Sequence, residues 1–554
     1  MKMPMHLKAP QEVERLSASL LLQNREQGAG SLLDYAEGLA AEYVQTANLE
    51  QRKARGQFFT PRAVGQFMAS LFRIKGESIS LLDPGAGIGI LTVAFCERLL
   101  NLKERVELHI TAYENDTALL PHLRKVLRKC KTALEERGHD VILDILEDDF
   151  IVKNARFFNR ETPILWEDER PNFDYVVSNP PYHKLIATSR HARMMKEVGL
   201  GQPNAYAFFM ALSLQLLKQD GEMVFITPRS FCSGLYYKKF RSWLLENATF
   251  SRIHVFGSRS DVFEHEDVLQ ENVILKAIPK NEKRNAAPVE ITVSENHSFK
   301  DLKTHKVPTE DTVHRMNGDA LIKIPTSRIH ILIQHAIKDW RYTLRDFGLE
   351  VSTGPIVEFR AKEFLTDFVD EQTTSPLIWM HNIQDMKVMW PAKKNGKQTA
   401  ILLKEASKPL LVSVRNYVLI KRFSSKEQER RLYAGALLER YFKFKTIGIE
   451  NHVNYLYRKQ GRMAEEETVG LAALLNTSIV DEYFRCLNGN TQVNASDLRV
   501  LPLPSLEVIR QVGKCVSAEQ PGIGLSLDTA VAGVLGISNR IVRQLYEADG
   551  RNKD

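Results

Sequence analysis

The chain has 554 residues, of which 44% are hydrophobic and 26% charged, and its formal net charge is +7 at pH 7. This length predicts two or more domains with sizeable cores, and the composition is that of an ordinary globular protein. The sequence contains no run of about 18 apolar residues, the length that a membrane-spanning helix needs. The positive net charge permits a polyanionic partner without requiring one.

The N-terminus and the cysteines narrow the class of protein further. The opening residues, MKMPMHLKAPQEVERL, lack the apolar core of a signal peptide, so we expect a cytoplasmic protein. The five cysteines lie far apart without a CxxC pair, and no histidines cluster at metal-ligand spacing. We therefore expect neither a disulfide framework nor a metal site.

The predicted secondary structure changes character near residue 78. Residues 1–50 contain helical patterns that are interrupted at Gly28 and Gly30. Short apolar runs then alternate with helix-like segments, which is typical of βαβ units. We predict an α/β, Rossmann-like domain with a mostly parallel sheet of roughly seven strands, which binds ligands at the carboxyl ends of its strands. The clearest predicted strands lie at 79–82, 108–113, 141–146, 173–177, 223–226 and 253–256, and ENVILKAIP adds another.

The chain turns polar and charged around residues 278–310, which is typical of a linker or an exposed hairpin region. The residues beyond it mix predicted strands and helices and contain no internal repeat or low-complexity tract. We therefore predict four parts: an N-terminal helical segment (1–50), the α/β domain (51–280), a linker (281–310) and a C-terminal α+β domain (311–554).

Glycines and acids follow the first two predicted strands. In LLDPGAGIGIL, Asp83 ends the first strand, and Gly85 and Gly87 lie in a turn where the backbone can approach a ligand closely. Its GxGxG spacing is not the dinucleotide fingerprint, so a plain tight turn is an equal alternative. Glu114 ends the second strand, where it can bind both hydroxyls of a ribose or simply place a charge at a helix N-terminus.

The third strand leads into ILEDDFI, where Asp149 and Phe150 follow Asp148. A carboxylate followed by an aromatic residue can accept from an adenine amino group and cover its ring, although a solvated acidic loop is the more common role of such residues. The carboxyl ends of parallel strands lie at one edge of a sheet. Three successive strands that end in acids therefore favour a nucleoside pocket.

The fourth strand ends in VVSNPPYHKL. Prolines end a strand because they lack the donor that a sheet needs, and Asn179 is extended because it precedes one. Pro180 and Pro181 stiffen the turn, so the Asn179 side-chain oxygen and the Pro180 carbonyl can accept both hydrogens of one amino group beside the flat ring of Tyr182. Holding an aromatic amine in this way frees its nitrogen lone pair for attack without requiring a general base.

These motifs, in this order, resemble those of amino-group DNA methyltransferases that depend on S-adenosylmethionine. The chain looks like the gamma arrangement and most like adenine-N6 enzymes of type II restriction-modification systems, with a loose similarity to PstI/BsuBI-like enzymes. The resemblance covers residues 50–280 in motif order and the C-terminal half more loosely. It implies that SNPPY supplies the catalytic residues, and that a flipped base stacks against Tyr182 and Phe263. The implied catalytic residues are Asn179, Pro180, Pro181 and Tyr182.

The resemblance also implies the cofactor site. GQFFTPRAVGQFMASL resembles the motif before the glycine turn, and NAYAFFMALSLQLL resembles the segment whose aromatic residue covers the cofactor adenine. The insertion KNARFFNRETPILWEDERPN departs from the family pattern, and we assign it no role. The residues implied to bind S-adenosylmethionine are Phe59, Thr60, Pro61, Asp83, Gly85, Gly87, Glu114, Asp149, Phe150 and Phe209.

The C-terminal domain resembles the target-recognition domains of such enzymes at VSTGPIVEFR, LIWMHNIQ and NGNTQVNASDLRVLPLP. The basic, aromatic stretches 415–431 and 451–459 fit contacts with phosphates and base edges, although each residue taken alone is more often core or solvated surface. The implied partners are double-stranded DNA and a restriction endonuclease on a separate chain. We expect a bacterial or archaeal, nucleoid-associated cytoplasmic monomer with no membrane partner.

Two other functions remain open beside a sequence-specific adenine-N6 methyltransferase that flips its base. One is methylation of another amino group, in RNA or in a protein glutamine, because NPPY also occurs in shorter enzymes that methylate release factors. The other is a non-catalytic DNA-recognition subunit, against which the intact NPPY, glycine turn and Glu114 argue. We do not expect a fused endonuclease, because the first fifty residues are hardly enough for a further domain.

Overall fold

The computed structural model describes residues 30–46, 59–158, 170–201, 204–257, 271–281, 287–316, 319–392, 394–424, 428–488 and 492–548. Two compact units make up the chain. The first contains Met1–His183 and Gln215–Phe225, and the second contains Lys184–Leu214 and Ile226–Asp554. Within the described ranges, no helix has both the length and the apolar character needed to cross a membrane.

The first unit contains a parallel sheet. Its strands are β1 (Ser78–Asp83), β2 (Glu107–Tyr113), β3 (Asp140–Leu146), β4 (Phe173–Ser178) and β5 (Leu217–Pro228), of which residues 217–225 belong to this unit. The strand order is β3-β2-β1-β4-β5, and every neighbouring pair is parallel. The order reverses between β1 and β4, and the crevice at such a reversal is where open α/β sheets bind ligands.

Buried apolar residues explain why these segments form a sheet. Leu81, Leu82, Val176 and Val177 are fully buried in the two central strands, as expected for parallel strands that helices cover on both faces. The helices of this unit are α1 (Leu32–Thr46), α2 (Arg62–Ser70), α3 (Ile90–Leu100), α4 (Leu120–Glu136) and α5 (Phe150–Asn154). The prediction of an α/β fold with a mostly parallel sheet is confirmed.

The second unit begins with helices α6 (Arg190–Glu197), α7 (Ala205–Gln215) and α8 (Lys238–Asn247) and with strands β6 (Ala248–Phe256), β7 (Asn272–Pro279), β8 (Val289–Ser294) and β9 (Lys303–Val307). Strand β6 pairs antiparallel with β7 and parallel with β8, and β8 pairs antiparallel with β9. Strands β8 and β9 lie in the segment predicted to be a linker. They also raise the number of strands above the predicted seven, because short, partly polar strands leave a weak sequence signal.

The rest of the second unit mixes sheets and helices, in agreement with the predicted α+β character. A short antiparallel pair, β10 (Val313–Met316) and β11 (Asp319–Ile322), follows helix α9 (Thr309–Thr312) and precedes helix α10 (Arg328–Ala336). One sheet contains, in order, strands Leu349–Thr353, Val453–Arg458, Tyr417–Lys421, Ala434–Leu437, Lys387–Val388 and Ile383–Gln384. Another contains Leu365–Thr366, Ala400–Leu402, Thr374–Ile378, Thr446–Ile449 and Leu411–Ser413. The longer C-terminal helices are Glu465–Leu475, Ser478–Leu487, Leu506–Glu519, Leu525–Leu535 and Asn539–Ala548.

Candidate active site

The NPPY loop follows β4 directly, and its polar side chains contact each other. The Tyr182 hydroxyl donates to Asn179 Oδ1 at 2.7 Å, and Asn179 Nδ2 donates to Thr60 Oγ1 at 3.1 Å. Burial raises the pKa of Tyr182 well above its usual value, so its hydroxyl stays a neutral donor. Asn179 itself is half-buried, and Pro180 is buried beside it. The structure therefore brings together Thr60, Asn179 and Tyr182, which the resemblance assigns to two different motifs.

Thr60 precedes helix α2, whose first turn begins after Pro61. Its hydroxyl is the acceptor that fixes which way the Asn179 amide faces, because an amide whose nitrogen donates to one side presents its oxygen to the other. Thr60 is 8% exposed, so water does not readily replace this bond. The geometry thus gives Thr60 a positioning role in addition to the predicted contact with the cofactor.

We expect Thr60→Val, which removes the acceptor at nearly constant volume, to lower kcat about tenfold, since a lost hydrogen bond costs on the order of 1 kcal/mol. The KM for DNA should stay within about twofold of wild type. Thr60→Ser keeps the hydroxyl and should restore kcat. Steady-state kinetics with calorimetry separates the roles, and a valine variant that loses only cofactor affinity would contradict the positioning role.

The predicted ribose-binding acid, Glu114, lies directly after β2 and is nearly buried. Its Oε2 accepts from the Gly87 amide at 2.9 Å, and its Oε1 accepts from the Asp116 amide at 2.8 Å. Burial raises the pKa of Glu114, while these two amides oppose that shift. Each carboxylate oxygen has a second lone pair, so both can still accept from the hydroxyls of a ribose.

Asp83 ends β1 and is buried. Its Oδ2 accepts from the Thr92 hydroxyl at 2.8 Å, whereas its Oδ1 has no hydrogen bond of normal geometry in the part of the chain that the structure describes. Burial raises the pKa of Asp83 to about 7, and the neighbouring Glu114 charge adds to the rise. The Gly85 amide opposes this rise in pKa, and a ligand donor at Oδ1 would further satisfy a buried oxygen whose desolvation is costly.

The glycine turn adopts the backbone that its sequence predicts. Gly87 and Gly89 both have positive φ, at 57° and 96°, a conformation that other residues rarely adopt. The Phe59 ring lies against Gly87, where an added Cβ would be 3.7 Å from it. The turn therefore brings the backbone amide of Gly87, the Glu114 carboxylate and the Phe59 ring to the same edge of the sheet.

Asp149 and Phe150 have structural contacts in addition to their predicted contact with the cofactor adenine. Asp149 is the N-cap of α5, and its side chain accepts from the Val152 amide at 3.0 Å. Phe150 is buried edge-to-face against Tyr113, with ring centroids 5.3 Å apart. Their role in binding adenine stays a prediction, because these contacts fix the start of α5 whether or not a ligand is bound.

Two of the predicted residues belong to the second unit or lie outside the described residues. Phe209 belongs to the second unit, where it is buried in α7. Phe263 lies outside the described residues. Pro181 is half-buried in the NPPY loop, and Gly85 is half-buried in the glycine turn that follows β1.

Sequence reasoning missed the contribution of helix α1. Arg62, the first residue of α2, pairs with Asp34 of α1 and donates to the Ser31 hydroxyl at 2.9 Å. Tyr43 of α1 lies edge-to-face with Phe59 at 5.8 Å, and its hydroxyl is 3.4 Å from Asp116 Oδ2. Helix α1 therefore supports both the loop before α2 and the turn after Glu114. The sequence predicted helical structure in this segment, but it did not predict which residues the helix contacts.

These features fit S-adenosylmethionine. The unsatisfied Asp83 Oδ1 can accept from an ammonium or hydroxyl group, Glu114 can accept from the ribose, and the turn at Gly87 allows close approach of the backbone. Among the described residues, no group of histidine, cysteine or acidic side chains has the arrangement of a metal site.

The parallel sheet and the acidic side chains at its ligand-binding edge fit the class of methyltransferases that use S-adenosylmethionine. The family model described as Eco57I restriction-modification methylase matches residues 12–263. The type II methyltransferase M.BsuBI of Bacillus subtilis is 36% identical over 478 residues, which are 86% of this chain and 93% of that enzyme. M.PstI of Providencia stuartii is 33% identical over 466 residues, covering 84% and 90% of the two chains. The chain belongs to the family of type II restriction-modification DNA methyltransferases that these enzymes represent.

Proposed function

We propose that this enzyme transfers the methyl group of S-adenosylmethionine to the N6 amino group of an adenine that is flipped out of double-stranded DNA. The observation that carries the proposal is the Asn179 amide held between Thr60 and Tyr182. An amide oxygen oriented in this way, beside an aromatic ring, is suited to accept a hydrogen from an exocyclic amino group on a planar base.

In this mechanism the protein holds the base and does not need to remove its proton first. Asn179 Oδ1 and the Pro180 carbonyl accept the two amino hydrogens, and the Tyr182 ring stacks on the base. S-adenosylmethionine, when bound, would supply an electrophilic methyl group, and the electron pair of the broken sulfur–carbon bond would leave with S-adenosylhomocysteine. The proton that the amino nitrogen then carries in excess is acidic enough to leave to water. Extrusion of the base costs a few kcal/mol, which stacking and edge hydrogen bonds in the pocket offset.

We also propose that the C-terminal part, 311–554, reads the DNA sequence while 51–280 carries catalysis. In the basic, aromatic stretches, Tyr417 is buried and belongs to the core, as the more common outcome predicts. Phe423, by contrast, is exposed, lies 4.8 Å from the His452 ring and has the Arg422 guanidinium 5.9 Å from its centroid. Such a group of a basic and an aromatic side chain supports contact with phosphates or unpaired bases.

The membership of a restriction-modification family supports a cognate endonuclease that cuts the same sequence when it is unmodified. We propose that this nuclease is a separate chain and that the methyltransferase acts as a monomer in the cytoplasm, where host DNA must be protected.

Expression in a host without adenine methylation, followed by single-molecule sequencing of its DNA, tests the proposed function. We expect N6-methyladenine at one sequence motif, because a dedicated recognition domain restricts the reaction to one site. The same host expressing Asn179→Ala is the control and should show no modification. Methylation of cytosine N4, or unmodified DNA together with methylated RNA or protein, would overturn the adenine assignment.

A further inference from the structure

Two neighbouring apolar side chains of the second unit, Leu235 and Tyr236, are exposed on the turn between β5 and α8. Leu235 is 55% exposed and Tyr236 is 77% exposed, and both lie in the short 3-10 turn Leu235–Tyr237. Single exposed apolar residues are ordinary on protein surfaces, whereas contiguous exposed apolar side chains are typical of interaction sites. We call Leu235 and Tyr236 the apolar turn.

A buried arginine anchors the apolar turn from below. Arg241, which is fully buried, donates to the carbonyl oxygens of Phe231 and Gly234 at 3.0 Å each and pairs with Asp319 at 2.9 Å. A side chain at Gly234 would come within 2.7 Å of the Ser230 carbonyl oxygen, so the close turn requires glycine. These contacts hold the backbone of the apolar turn rigidly, and its two side chains project from a fixed base.

The next residue ties the apolar turn to the segment that follows the NPPY loop. Tyr237 is buried and stacks on Tyr206 with centroids 5.6 Å apart, and its hydroxyl accepts from the Asn204 side chain. Asn204 in turn pairs with Lys184 in an isolated antiparallel bridge. Lys184 follows Tyr182 by two residues in the chain, so within the second unit the apolar turn contacts the segment that continues directly from the catalytic loop.

Basic residues accompany these apolar ones. Between Lys184 and Gly201 the chain carries several exposed basic side chains but only one acid, Glu197, and the helix after the apolar turn opens with two lysines. Ile186, two residues after Lys184, is another apolar side chain that is 73% exposed. We call the following residues of these two segments the basic–apolar surface: Lys184, Ile186, Arg190, Leu235, Tyr236, Lys238 and Lys239.

We propose that the basic–apolar surface binds double-stranded DNA at the target site, where the apolar turn fills the gap that the extruded base leaves in the duplex. The lysines and Arg190 complement the phosphates, as polyanion binding requires. Apolar side chains that insert between base steps stabilise an opened stack. Because the backbone of the apolar turn is already fixed, its insertion into DNA costs little conformational entropy. This inference rests on the proposed flipping of a target base.

The experiment uses the full-length enzyme and a duplex with its recognition sequence, in which 2-aminopurine replaces the target adenine and reports extrusion by its fluorescence. For Tyr236→Ala and for Leu235→Ala,Tyr236→Ala we expect a several-fold smaller fluorescence rise and a methylation rate on paired adenine that is lower by about 10- to 100-fold, because extrusion loses the side chains that fill the gap. Both residues are exposed, so the variants should fold normally.

A substrate whose target adenine has no pairing partner distinguishes gap filling from a direct role of the apolar turn in DNA binding or methyl transfer. When the target adenine lies opposite an abasic site, extrusion costs less, so the variants should methylate it at close to the wild-type rate. Ile142→Ala, which removes an exposed apolar side chain on β3, is the matched control and should behave as wild type on both substrates. An equal defect on paired and abasic substrates, or wild-type extrusion and methylation on paired DNA, would overturn the proposal.

The contribution of the basic side chains is measured separately, as the salt dependence of DNA affinity. Lys238→Gln,Lys239→Gln should weaken DNA binding and reduce the slope of log affinity against log salt concentration by about 1 to 2, whereas Tyr236→Ala should leave this slope unchanged. A Tyr236→Ala variant that changes only its oligomeric state would assign the surface to a second copy of the chain and overturn the proposal. The wild-type rate is measured in the same assay, so absence of adenine methylation there refutes the proposed function itself, not this surface alone.

Discussion

Asn179→Ala is expected to lower the rate of methyl transfer by at least about 10²- to 10³-fold, the usual effect of removing a group that stabilises a transition state. The substitution removes the acceptor that we propose to hold the amino group of the base, while the rest of the loop stays in place. Because Asn179 is half-buried and makes side-chain hydrogen bonds to Thr60 and Tyr182, the cost in stability should be limited to about 1–3 kcal/mol. Transfer of a radiolabelled methyl group to the recognition duplex measures the rate, and fluorescence anisotropy measures DNA affinity, which should change little.

Two further variants make the result specific. Asn179→Asp keeps an acceptor at Oδ1 and can still be bonded by the Thr60 hydroxyl, which would then donate, so it should keep more activity than alanine. Asn101→Ala removes an exposed asparagine whose side chain bonds only the Glu97 carbonyl among its described contacts, and it should behave as wild type. Activity of Asn179→Ala within about threefold of wild type would contradict the catalytic assignment.

Glu114→Ala is expected to raise the dissociation constant of S-adenosylmethionine by at least about 100-fold. Hydrogen bonds to a charged group contribute about 1.5–3 kcal/mol each, and the predicted contact with the ribose involves two of them. The loss also leaves the amides of Gly87 and Asp116 without their acceptor, which loosens the glycine turn. Isothermal titration calorimetry with S-adenosylmethionine gives the constant directly.

A matched control lies on the same strand. Glu107, the first residue of β2, is exposed at the opposite end from Glu114, so Glu107→Ala removes an equal charge far from the ligand-binding edge. Its affinity for the cofactor should equal that of wild type. If Glu114→Ala also binds S-adenosylmethionine with unchanged affinity, the carboxylate does not bind the ribose.

The parallel sheet was predictable because each strand leaves a local signal. The runs 79–82, 108–113, 141–146 and 173–177 match β1 to β4 within about one residue at each end, since buried parallel strands are continuous apolar runs. Their carboxyl ends share an edge, which is why Asp83, Glu114 and Asn179 could be assigned to one site before their contacts were known. The short strands β8 and β9 gave no comparable signal.

The contacts within the site were not predictable, because they join residues that are distant in sequence. Thr60 and Asn179 are separated by 119 positions, and no periodicity shows that one side chain will accept from the other. The support that α1 gives through Tyr43 is likewise a matter of packing. Local patterns predict which residues lie at an edge of a sheet, whereas side-chain partners depend on how helices and loops pack above it.

The hydrogen bond from the Tyr182 hydroxyl to Asn179 Oδ1 has an energetic consequence for substrate binding. A buried acceptor left empty would cost about 1–3 kcal/mol, and that penalty would be relieved when a base arrives, which would make the ground-state complex unduly tight. Because Tyr182 already fills one lone pair of this oxygen, the amino group that we propose to bind there takes the second one, relieves no unsatisfied acceptor and gains little net affinity. Binding energy that is not released in the ground state remains available to lower the barrier. The hydrogen bond from Tyr182 to Asn179 therefore favours turnover as well as orienting the amide.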